Sequence, residues 1–232
     1  MTHVDGQCAT VFDGEICTWG TLSGDEVVEF GATIPVATAD LAPLDAPFEF
    51  PPITLARIPF PDVVKAQAGV DHLAINWEAQ GHPPATYFTP HFDFHVYFRP
   101  GDEIEAIDCS NPVKPASLPD GYVMPDENMP DGSVLIGICV PRMGMHALPA
   151  EEQDDEELFN ATMVMGYYSQ ELIFVEPMVA RAALLGKQDF SLDIPAVENV
   201  DESVMLPARF NAVYDAENEA YSFVFRLAAD AT

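Results

Sequence analysis

Residues 90–97 of this 232-residue chain read Pro-His-Phe-Asp-Phe-His-Val-Tyr. In an extended strand alternate side chains share a face, so His91, Asp93 and His95 point one way, and Phe92, Phe94 and Val96 the other. A strand buried on its aromatic side then presents two imidazoles and a carboxylate in a row, in a chain with only six histidines. Neutral imidazole and carboxylate are ligands for Zn, Fe, Ni or Cu. Geometry restricts how they could share an ion. A rise of about 3.3 Å per residue separates the Cα atoms of His91 and His95 by about 13 Å, whereas a Zn–N bond is about 2.0–2.1 Å. Either the strand curves or bulges until both reach one ion, or a pair spaced i, i+2 shares it and the third residue orients a ligand. The plain alternative is a strand whose polar residues face solvent.

Two residues elsewhere could complete a site. His146 ends a Met143-Gly144-Met145-His146 turn, whose glycine lets the backbone bend sharply at the end of an apolar run. Glu176 ends a strand read over Glu171–Glu176, just before Pro177. Each has a simpler reading: a loop histidine for His146 and a helix-start carboxylate, favoured by the macrodipole, for Glu176. The functional expectation is that His91, His95 and His146 surround one polar cavity, with Glu176 as the carboxylate and a divalent transition metal bound. Asp93 is then a further ligand or an acceptor from an imidazole. His82, wedged between Gly81 and Pro83, and Tyr97 are placed in the pocket wall.

The elements that must position these residues are mostly strands broken by proline. Glu15–Ser23 and Glu26–Thr38 form a hairpin around Gly24-Asp25. Ala39–Pro52 is a loop, Ile53–Pro59 a short strand, and Asp62–Ala68 at most two helical turns closed by Gly69. Asp71–Glu78 precedes the His-rich strand, which stops at Pro100-Gly101. Residues 108–132 are a long surface excursion, Val134–Val140 is a buried strand, and acidic Glu151–Glu157 is a solvated loop. Ala161–Tyr168 and Glu171–Glu176 pair around Ser169-Gln170. Pro177 and Gly186 then bracket a short helix over Met178–Leu185. The last hairpin alternates Phe210, Ala212 and Tyr214 against Tyr221, Phe223, Phe225 and Leu227. The expected fold is all-β: one domain over residues 1–232, an antiparallel barrel or closed sandwich, with one or two short helices and an N-terminal arm over 1–14.

Thirty-eight acidic residues face nine basic ones, for a formal net charge of −29. That charge repels nucleic-acid phosphates and anionic lipid, which removes both from the expected partners. A small-molecule ligand and self-assembly remain. A salt-adapted, halophilic surface is the simplest cause of such acidity, because molar salt screens self-repulsion to within about 3 Å. No apolar run approaches the ~18–20 residues that span a bilayer, and the first residues lack the basic and apolar regions of a signal peptide. The sequence as given reads as cytoplasmic, or as secreted if a leader was removed. Cys8, Cys17, Cys109 and Cys139 match no zinc-finger spacing, so a Cys8–Cys17 staple and buried free thiols are both open.

Three imidazoles and a carboxylate resemble the ligand set of cupins, although the cupin His-x-His pattern is His-x-Asp-x-His here. His91-x-Asp93 with His146 also satisfies the two-histidine, one-carboxylate triad of non-haem iron oxygenases. Read in order, the chain resembles a small, functionally unassigned family of bacterial and archaeal proteins. The resemblance rests on Pro90–Tyr97, Met143–His146 and Phe174–Met178, with His82-Pro83-Pro84 upstream, and spans roughly residues 70–186. It implies His91, His95, His146 and Glu176 as a set and supplies no reaction. No nucleophile elbow, phosphate loop, dinucleotide fingerprint or zincin helix is present. Two classes remain: a metal-dependent β-barrel enzyme acting on a small molecule, and a non-catalytic ligand-binding or assembly module.

Overall fold

The computed structural model describes residues 1–129, 132–153, 155 and 157–227. The chain folds as two antiparallel sheets packed face to face, so the sandwich expectation holds and neither sheet closes into a barrel. One sheet has six strands in the order β1 (Thr2–Val11), β2 (Gly14–Ser23), β3 (Glu26–Pro35), β15 (Ala220–Arg226), β14 (Arg209–Asp215) and β13 (Phe190–Asp193). The other has seven, in the order β4 (Thr54–Pro59), β5 (His72–Glu78), β6 (His91–Tyr97), β12 (Glu171–Ala180), β11 (Ala161–Tyr168), β10 (Met145–Pro149) and β7 (Tyr122–Val123). A small ribbon pairs β8 (Glu127–Asn128) with β9 (Val134–Leu135).

The aromatic side of β6 faces the interior as its alternation requires. Phe92, Phe94 and Val96 are fully buried in the main core, and Phe94 meets Phe223 of the opposite sheet edge-on, ring centroids 5.0 Å apart. Phe30 and Phe225 stack at 5.2 Å in the same layer. The last hairpin pairs as expected, Phe210 opposite Phe225 and Ala212 opposite Phe223.

Several expectations are corrected. The segment 1–14, expected as an arm, is mostly sheet: Thr2–Val11 is a strand tied to its neighbour by a Cys8–Cys17 disulfide. Cys109 and Cys139 form a second disulfide, so the free-thiol alternative is excluded. Four short helices occur among the described residues: α1 (Val36–Asp40), α2 (Asp62–Ala68), α3 (Gly101–Glu105) and α4 (Arg181–Leu185). Of these, α2 has the bounds its sequence implies and α4 lies within the expected 178–185 stretch, whereas α1 and α3, five residues each, are too short to carry a 3.6-residue apolar repeat. The run Val134–Val140 is not a buried strand. It breaks after Leu135 into a 3-10 turn over Ile136–Ile138, with Val134 and Ile136 exposed. Pro177 does not begin a helix. β12 runs through it to Ala180, because Met178, Val179 and Ala180 are all buried in the sheet. The excursion at 108–132 and the acidic stretch at 151–157 lie partly outside the described residues.

Candidate metal centre

The non-aromatic side of β6 faces away from the sandwich core, yet every residue of the strand is buried. Loops and α3 cover this outer face. One apolar cluster, including Ile104, Val140 and Met143, packs over Tyr97 and Phe174. Another, including Tyr87 and Phe159, packs over Val164 and Met178. Between them lies a polar floor built by strand register. β6 pairs with β5 through seven consecutive residues, so Glu78 lies opposite His91, Asn76 opposite Asp93 and His72 opposite Tyr97. On its other side Val175 pairs with Val96 and Met178 with Asp93, a register that sets Glu176 opposite His95. Ladder pairing lapses at Glu176 and Pro177, where the proline has no N–H to donate.

His146 reaches the same floor from β10, opposite Gly166 of β11. The turn before it uses Gly144 at φ 131°, a conformation open to glycine. Gly166 is required for a different reason: a Cβ there would lie 2.1 Å from the Phe174 ring. That ring packs edge-on against both His95 and His146, at 4.9 and 5.3 Å.

His95, His146 and Glu176 place one ligand atom each within 4.8 Å of one another. His95 Nε2 is 3.5 Å from Glu176 Oε1, and His146 Nε2 is 3.9 Å from Glu176 Oε2. His146 Nδ1 lies 2.9 Å from the Ile138 carbonyl, which can only accept, so Nδ1 carries the proton and Nε2 presents a lone pair to the carboxylate. Among the described residues neither ring nitrogen of His95 has a hydrogen-bond partner, nor does Glu176 Oε2. Burial pushes His95 down to about 3 and His146 below its usual value. Burial, with Asp93 and Glu78 nearby, holds Glu176 well above the ordinary carboxylate range.

His91 does not join this group. It forms a second one with Asp93 and His82, again with ligand atoms within 4.8 Å. His91 Nε2 lies 3.2 Å from His82 Nε2 and 3.2 Å from Asp93 Oδ1. Burial pushes Asp93 upward, but His91, His82 and His95 outweigh it and hold the carboxyl below its usual range. The expected single set is thus divided. β6 has no bulge, so His91 and His95 stay a strand's length apart and the i, i+2 pairing of His91 with Asp93 is what forms. Tyr97 stacks on His95 at 5.6 Å and on His72 at 4.9 Å, walling the far side of the site.

Sequence reasoning missed Glu78. It is buried, and desolvation together with Asp93 pushes its carboxyl up to about 8. The alternation of His72, Asn76 and Glu78 along β5 was the available signal, since these residues share a face at a period of two.

The floor opens into a cavity of about 490 Å³, within the usual range for small-molecule sites. Glu78, His82, Asp93, His146 and Glu176 line it together with an apolar wall that includes Met143, Leu148 and Val164. Phe48, Phe50 and Phe88 also line it and are exposed to solvent. No protein-family model matches the chain, and neither a curated protein nor a solved structure does.

Proposed function

We propose that this protein is a metal-dependent small-molecule-binding protein, with a divalent transition metal held by His95, His146 and Glu176 at the floor of its cavity. One observation carries the reading: among the described residues, a fully buried imidazole, His95, has no hydrogen-bond partner at either ring nitrogen and sits beside a buried carboxylate with an unpartnered oxygen. Each unmet buried polar group costs about 1–3 kcal/mol. A protonated Glu176 bonded to His95 would be the protein-only remedy, but 3.5 Å exceeds the usual reach of such a bond, about 2.5–3.2 Å. Structural zinc in zinc-finger peptides supplies about 10–16 kcal/mol, and a fraction of that would offset these costs.

The geometry supports a tetrahedral ion with modest adjustment. Bonds of about 2.0–2.1 Å imply ligand-to-ligand edges of about 3.3 Å; one ligand atom from each residue already lies within 4.8 Å of the others, so the three must draw together onto the ion. Three protein ligands leave one position open toward the cavity, the arrangement of catalytic rather than structural zinc. The metal would act there as a Lewis acid or activate water. Apolar walls and exposed aromatic residues at the mouth favour a ligand with an apolar body and a polar head. Imidazole and carboxylate suit Zn, Fe, Ni or Cu, and affinity alone does not choose among them. Membership of the unassigned family that the chain resembles belongs to this same proposal.

Elemental analysis of protein purified without chelators tests it. His95→Gln with His146→Gln should lower transition-metal content by one ion per chain while circular dichroism stays that of a β protein. Unchanged metal content, or a wild type that carries and takes up none, overturns the reading.

A further inference from the structure

The second histidine group has its own geometry, independent of His95, His146 and Glu176. His91 Nδ1 is 2.7 Å from the Thr89 carbonyl, and His82 Nδ1 is 2.8 Å from the Pro83 carbonyl. Carbonyls only accept, so both Nδ1 atoms carry protons and both Nε2 atoms present lone pairs. Those lone pairs face each other at 3.2 Å. Two acceptors at that distance repel unless a proton or a cation lies between them. Asp93 Oδ1 also lies 3.2 Å from His91 Nε2 and has no hydrogen-bond partner among the described residues, on a residue only 4% exposed.

Both separations match the edge of a tetrahedral Zn site, about 3.3 Å for bonds of about 2.0–2.1 Å. Two of this group's three edges are thus already at metal-ligand spacing, and the third lies within 4.8 Å. Its supporting contacts are also those of a ligating histidine, whose distal nitrogen is normally held by a carbonyl or carboxylate.

We infer that His82, His91 and Asp93 form a second divalent-metal site on the same cavity floor, separate from the one at His95, His146 and Glu176. Its ligands come from β6 and from the Gly81–Pro84 turn, whereas the first site draws on β6, β10 and β12. Asp93 and His82 both line the cavity, so an ion held there is open to the same small molecule.

Stoichiometric titration tests the inference. Chelator-stripped protein is titrated with Co(II), following visible ligand-field absorption and heat of binding in the wild type, in His82→Gln, in His91→Gln, and in the paired His95→Gln, His146→Gln variant. His82 sits on a loop, so its replacement is the variant least able to disturb folding, and circular dichroism checks each one. Two tight equivalents in the wild type are expected. Removing His82 or His91 should weaken one of them at least a hundredfold, and the paired variant should retain the other. If the wild type binds one equivalent, lost in the paired variant and untouched by His82→Gln, the second site is overturned and the first stands. If one equivalent binds and only His82→Gln and His91→Gln remove it, the second site stands and the first falls. Binding to no variant and not to the wild type overturns both.

Discussion

A neutral imidazole has one donor and one acceptor, so a carbonyl on Nδ1 decides what Nε2 can do. His82, His91 and His146 are each fixed this way, by Pro83, Thr89 and Ile138. The residue types were legible in the sequence because a period of two puts His91, Asp93 and His95 on one face. Their assignment to two groups was not. It depends on where His82 and Glu176 arrive, and Glu176 reaches His95 through a strand pairing that no local pattern encodes. Two predictions belong to single residues. Phe94 is wholly buried against Phe223, so Phe94→Ala should lower unfolding free energy by about 3–5 kcal/mol in denaturant titrations. His72 is buried, and desolvation holds its pKa below 6.5 despite the opposing hydrogen bond to Asp71. Unfolded His72 takes a proton near 6.5 while the folded form resists until lower pH, so stability is lost as pH falls below 6.5. Melting curves in chelator from pH 7.5 to 5 should therefore fall more steeply for the wild type than for His72→Gln; parallel curves would contradict this account of His72.

At the level of elements, the sequence marked strands well wherever apolar residues alternate, and failed where continuity depends on neighbours. Pro177 reads locally as a helix start, but burial of Met178, Val179 and Ala180 carries β12 onward to Ala180. The run beginning at Val134 reads as a core strand, yet it leaves the sheet and becomes part of the cover over the site. That cover is held by the Cys109–Cys139 disulfide, a link of sequence separation 30 that brings the residue after Ile138 against the start of the long excursion. Closing a loop of this length contributes about 3–4 kcal/mol on the chain-entropy account. Cys109→Ser with Cys139→Ser should lower the melting temperature and weaken Co(II) binding at His146 more than at His82, because the Ile138 carbonyl that orients His146 is loosened. Equal weakening of both equivalents would show that the disulfide acts only on global stability. Gly144→Ala should be costly as well. It forces a side chain to φ 131° and places Cβ 3.0 Å from Ile173, a strain of order 1–3 kcal/mol that thermal melts would register.

For the whole molecule, the sandwich was legible because many short strands with hairpin turns leave few other packings. The use of its outer face was not, since covering one side of a sheet with loops leaves no periodic trace. The charge of −29 bears on the entire surface. Screening of carboxylate repulsion predicts a melting temperature that rises from low to molar potassium chloride, and a flat or falling midpoint would count against a salt-adapted surface. The central claim concerns the inner ions. Crystals grown with Zn(II), measured on either side of the zinc absorption edge, would test it most directly. The account predicts an anomalous peak about 2.0–2.2 Å from His95 Nε2, His146 Nε2 and a Glu176 oxygen. A map with zinc only at surface carboxylates, and none beside His95, would contradict it.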